Sequence, residues 1–145
     1  MKKIGLALIC MLTIHTIAMA GNDKQIAVNK LPQTAIAFIE SHFKMNDISY
    51  AKVEKEIFDK SYEVIFVDGS KIEFDKKGEW KEIDCQFTSV PIAAVPQQIK
   101  EFISKHHQGK KVMEIDRDRK DYEVKLDNGF ELKFDLKFNF IGADR

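Results

Sequence analysis

Few side chains in this sequence have the type and spacing that chemistry requires. Cys85 is the one thiol outside the N-terminal segment that carries Cys10. No histidine or basic cluster accompanies it, and Ile83 and Phe87 flank it at strand spacing, so a packed, unreactive thiol is expected. His42 and His106 sit late in two helical stretches, with His107 adjacent. A metal site or a pH switch would use such residues. Neighbouring histidines on a helix point about 100° apart, however, and no zinc-type spacing accompanies them, so a helix-end role is the simpler expectation. Asp116, Asp118 and Asp127 are the candidate calcium ligands, because calcium requires several convergent oxygens. Arg117, Arg119 and Lys120 interleave with them, and there is no twelve-residue calcium loop. The serines lack nucleophile-elbow glycines, and no phosphate-binding or dinucleotide fingerprint occurs. No cofactor and no enzymatic activity are expected.

The elements that would position these residues are written twice. Tyr62-Glu-Val-Ile-Phe-Val-Asp-Gly-Ser-Lys-Ile-Glu-Phe-Asp75 returns sixty residues later as Tyr122-Glu-Val-Lys-Leu-Asp-Asn-Gly-Phe-Glu-Leu-Lys-Phe-Asp135. Ahead of each copy stands a helical stripe, from Leu31 and from Val95, with Pro32 and Pro96 in the first turn. After each helix the apolar period falls to two. A three-residue hairpin loop with Gly129 in the left-handed position pairs Tyr122 with Phe134, Val124 with Leu132 and Leu126 with Phe130. The same register sets Lys125 against Glu131 and Glu123 against Lys133 on the outer face. In the first copy it pairs Tyr62 with Phe74, Val64 with Ile72 and Glu63 with Glu73. Strands over 48–58 and 112–119 precede the hairpins, and strands over 79–87 and 137–141 follow them. Trp80 falls opposite Phe74; a bulge near Lys81-Glu82 decides whether Ile83 and Cys85 face the core or the solvent.

These patterns predict an α+β fold: a tandem helix-plus-four-strand repeat, about 30–88 and 94–145, forming one eight-stranded antiparallel sheet with both helices on one face. Residues 1–20 read as a signal peptide, with Lys2 and Lys3 before an apolar run and Ala18-Met19-Ala20 as cleavage site, leaving 21–145 as a single domain. Residues 21–29 read as a frayed polar lead. The expected location is periplasmic or secreted, with no membrane insertion after cleavage. The whole chain balances 23 basic against 23 acidic residues. That balance lacks the basic face of a nucleic-acid binder. With a single cysteine left, no intramolecular disulfide forms, and 11 Phe must supply the core.

The copies differ on the outer face. Ile65 stands where the second copy has Lys125, and Val67 where it has Asp127. Tyr50, Phe58, Ile65 and Val67 are therefore the candidate binding surface on the open sheet face, since an apolar patch rimmed by charge marks a partner site.

Leu31-Pro32, Tyr62-Glu-Val and Phe74-Asp-Lys-Lys-Gly-Glu-Trp80 resemble the PepSY-like family of exported bacterial proteins. The resemblance implies the fold of the β-lactamase-inhibitor protein, a curved sheet backed by helices, and inhibitor-like binding through the open face. The chain lacks that inhibitor's paired cysteines, and fold alone does not confer function. The expected function is a periplasmic protein-binding module, inhibitor-like in mode, with an unidentified periplasmic or secreted protein as partner. The alternative is a small-ligand or calcium-responsive sensor domain; self-association through the same face is a third class.

Overall fold

Alternating apolar and charged residues make the inner strands of this chain two-faced, and the fold follows from burying one face only. The computed structural model describes residues 22–145; the segment read as a signal peptide lies outside them. Nine strands occur among the described residues: β1 (Asp23–Ile26), β2 (Ile48–Lys55), β3 (Lys60–Phe66), β4 (Lys71–Phe74), β5 (Trp80–Asp84), β6 (Val112–Arg117), β7 (Asp121–Leu126), β8 (Glu131–Asp135) and β9 (Phe140–Asp144). They form one open antiparallel sheet in sequence order. Helices α1 (Gln33–His42) and α2 (Gln97–His106) precede β2 and β6, each opening directly after its proline. The class is α+β, with nine strands where eight were expected.

The ninth strand is β1, in the segment read as frayed. It is polar and short, but it pairs residue for residue with β2, from Asp23 opposite Glu54 to Ile26 opposite Ala51. Ile26 packs partly buried against the core, and Lys52 reaches Asp23 at 3.0 Å. The outer strands are also shorter or shifted. β2 stops at Lys55, and the Glu56 amide donates to the Asp59 carbonyl, which turns 56–59 into a hairpin tip. The last strand begins at Phe140 because the Asp135 carboxylate accepts the amides of Lys137 and Asn139 and holds those residues in a turn.

Both hairpins adopt the expected register, Tyr62 opposite Phe74 and Tyr122 opposite Phe134. The bulge at Lys81 also forms: Trp80 faces Phe74, Glu82 faces Glu73, and Lys81 is the extra residue. Ile83 and Cys85 are thereby turned inward and buried. A continuous row results. Val64, Ile72, Ile83, Ile115, Val124 and Leu132 are successive cross-strand partners in six strands, and each is wholly buried.

Both helices lie on that buried face. Phe38 of α1 meets Phe74 edge-on at 6.0 Å, and Phe102 of α2 meets Phe134 edge-on at 5.3 Å. Phe74 and Phe134 follow Ile72 and Leu132 by two residues, so they share the row's face. Gly78, at φ +85°, shows how closely α1 seats: an added Cβ would fall 2.7 Å from Pro32 Cβ and 2.9 Å from the Ala35 amide nitrogen. At the corresponding turn of the second half Phe138 takes that left-handed conformation, at φ 66°. A side chain there costs about 1–2 kcal/mol. The Phe138 ring packs 5.1 Å from Tyr122, and that contact offsets the strain.

Candidate functional site

The opposite sheet face is open, and its central row is built from charge. Reading across the partners gives Gln25, Lys52, Glu63, Glu73, Glu82, Asp116, Glu123 and Lys133. Five carboxylates thus stand side by side, a costly arrangement without counter-charge. Lysines supply it: Lys52 to Glu63 at 3.2 Å, Lys81 to Glu73 at 3.2 Å, Lys71 to Glu82 at 3.3 Å and Lys133 to Glu123 at 2.8 Å. Lys52 is held twice; its hydrogen bond to Asp23, with help from Glu63, pushes its pKa up to about 12. Lys125 stands opposite Glu131, as the hairpin register requires, but its ammonium meets Glu114 at 2.8 Å. Strand β6 lies on the other side of β7 and offers the nearer carboxylate.

Asp116 is the charged member of the row with no salt bridge among the described residues. Partial burial, then the carboxylates of Glu82, Glu123, Glu114 and Asp118, push its pKa up to about 6. Asp118 is held in its own turn, where its carboxylate accepts the amides of Lys120 and Asp121. Asp127, at the far end of β7, accepts the Lys111 amide at 3.2 Å. The three calcium candidates therefore do not converge. No group of three or more His, Cys, Asp or Glu among the described residues is placed to hold a metal ion.

The candidate binding residues fall into two places. Tyr50 stands directly opposite Ile65, with Lys71 on the other side of Ile65. Val67 follows at the end of β3, 70% exposed. Its amide donates to the Asp47 carbonyl as the Asp127 amide donates to the Lys111 carbonyl. The second half adds a carboxylate bond at that point, where the first leaves a bare valine. Phe58 is elsewhere, at the β2–β3 hairpin tip and the other end of β3. With Ile57 it forms an apolar pair, 93% and 90% exposed, that strand periodicity did not mark. The available signal was Ile57-Phe58 set between Glu56 and Asp59, two large apolar residues where a turn needs polar ones.

The remaining candidates have structural surroundings. Cys85 is buried, and burial pushes its thiol pKa up. His42 lies 4.7 Å from the Phe38 ring and His106 lies 4.4 Å from Phe102, the same helical contact in each half.

The family described as "Putative beta-lactamase-inhibitor-like, PepSY-like" matches residues 60–142. A "putative periplasmic protein" of the DUF2874 family from Bacteroides vulgatus is 52% identical, with a TM-score of 0.83 over 87% of this chain and 99% of that one. A "putative calcium-regulated periplasmic protein" from Bacteroides thetaiotaomicron is 51% identical, with a TM-score of 0.79 over 85% and 97%. Another Bacteroides vulgatus structure, a "putative periplasmic protein of unknown function", is 41% identical, with a TM-score of 0.77 over 85% and 99%. No curated protein matches the chain.

The folded pKa of Asp116 lies above its unfolded value, so the folded chain holds the extra proton between about pH 4 and pH 6. Stability therefore falls as pH rises through that window. Asp116→Asn is predicted to gain about 1 kcal/mol near neutral pH, after allowance for solvent screening, and nothing near pH 3. Urea denaturation of both proteins at the two pH values measures the difference.

Proposed function

The chain belongs to the PepSY-like, beta-lactamase-inhibitor-like family, and from that footing we propose that it is a non-catalytic, exported protein-binding module acting in the periplasm. Its contact surface is the end of the open sheet face that carries Tyr50, Ile65 and Val67. On this proposal the two halves derive from one duplicated unit, and Ile65 and Val67 are among the positions where they diverged. The observation that carries the reading is the pair of exchanges, Ile65 for Lys125 and Val67 for Asp127. Each leaves apolar surface in the first half where the second half has a charged group with a defined partner. Lys71 and Glu82 rim the patch and would orient a partner more than hold it. An inhibitor-like action would be steric, a partner's surface covered by this face.

Affinity capture from a periplasmic extract tests the proposal with three baits. Wild type and Lys125→Ile are predicted to retain the same protein, and Ile65→Lys to lose at least tenfold of it, because a buried lysine without a partner is expensive. Equal capture by all three would place the contact elsewhere.

A second reading, a calcium-responsive sensor, has one observation in its favour: the description of the 51%-identical relative as calcium-regulated. Asp116, Asp118 and Asp127 do not form a cage for the ion in this chain. Millimolar calcium is accordingly predicted to shift the melting temperature by less than about 1 °C. A rise of several degrees that Asp116→Asn or Asp127→Asn abolishes would establish the sensor reading instead.

A further inference from the structure

Strands that alternate in direction bring the β2–β3, β4–β5, β6–β7 and β8–β9 turns to one end of the sheet, away from Val67 and Asp127. Between them lies a cleft of about 870 Å³. Small-molecule sites fall within roughly 300–1,000 Å³. Phe58, Leu136 and Tyr122 contribute its apolar wall, and Lys77, Arg117 and Arg119 part of its cationic one.

The charges of the wall are not mutually satisfied. Asp59 accepts the Lys60 amide, Asp75 those of Lys77 and Glu79, and Asp118 those of Lys120 and Asp121, so each has an oxygen committed to its own turn. Lys76, Lys77 and Arg119 form no salt bridge among the described residues. Arg117 lies over the Trp80 ring at 5.4 Å and reaches Glu79 only at 3.7 Å. At the rim, Phe58 and Ile57 remain almost fully in water, where covering either is favourable.

We propose that this cleft binds a small anionic amphiphile: a carboxylate- or phosphate-type head on an apolar body. The head lies among Lys77, Arg117 and Arg119, and the body covers Phe58. An inorganic anion alone leaves the apolar rim wet, and a neutral apolar molecule leaves the cations unpaired. A flat anionic membrane would meet Glu56, Asp59 and Asp118 together with the cations, whereas a single molecule in the concavity need not. This site is independent of the Tyr50–Ile65–Val67 surface.

Trp80, the single tryptophan of the chain, lies 6.2 Å from Tyr122 and reports on the cleft. The test titrates the full chain with 8-anilinonaphthalene-1-sulfonate and its uncharged analogue N-phenyl-1-naphthylamine, following energy transfer from Trp80, and with inorganic phosphate as a competitor that displaces the sulfonate. The sulfonate is expected to give saturable transfer, weakened about tenfold by Lys77→Glu/Arg119→Glu and by Phe58→Ser, with unchanged thermal unfolding. The analogue and phosphate are expected to bind at least about tenfold more weakly. No transfer, equal binding by the variants, or equal binding of the uncharged analogue would overturn the proposal. Co-sedimentation of wild type, but not Phe58→Ser, with phosphatidylglycerol vesicles would overturn it in favour of a membrane surface.

Discussion

The contact between Ile83 and Ile115 holds this protein together as one body. Strands β5 and β6 pair over only three residues, yet they are the sole strand-to-strand junction between the first five strands and the last four among the described residues. Through that junction the row Val64, Ile72, Ile83, Ile115, Val124 and Leu132 becomes continuous. The junction depends in turn on the single extra residue Lys81. Without the bulge, Ile83 and Cys85 would point to solvent and Glu82 would enter the core, since a one-residue slip exchanges the faces. One helix over one four-stranded half would cover a small core; the joined row lets α1 and α2 cover a common one.

The same alternation accounts for the open face. Whatever residue lies between two core positions must stand in the outer row, so five carboxylates are brought abreast by the geometry that buries the isoleucines. Four of the five are matched by lysines within 3.3 Å. The row is thus mostly neutralised, with Asp116 its one carboxylate without a salt bridge among the described residues. The charge pattern gives way at Tyr50 and Ile65 on the face itself and at Ile57 and Phe58 on the turn end, and the proposed recognition rests on those places.

Much of this fold was legible because its code is local. Period-two alternation and the turn glycines specify the hairpin registers, and the prolines open both helices. Longer-range features were not legible. β1 is short and polar, and it becomes a strand only because β2 offers Lys52 to Asp23 and Ala51 to Ile26. Lys125 chose Glu114 over Glu131 because β6 lies beside it, a neighbour that hairpin reasoning does not contain. Phe138 stands in a left-handed turn position where Gly78 serves in the first half, and only the ring of Tyr122 explains why it is tolerated. Of the candidate surface, Tyr50 and Ile65 proved to be cross-strand neighbours. Phe58 was assigned to a strand and lies at a hairpin tip, because two adjacent apolar residues in a turn mimic a strand's end.

Native-state hydrogen exchange at the ladder amides of Val64 and Val124 tests the central claim, that the seam makes both halves one cooperative unit. Both amides are predicted to exchange through the same global opening, with free energies equal within about 0.5 kcal/mol, and to fall together in Ile115→Ala. If one half opened about 2 kcal/mol more easily than the other, or if Ile115→Ala lowered protection at Val124 alone, the seam would not be what holds the sheet together.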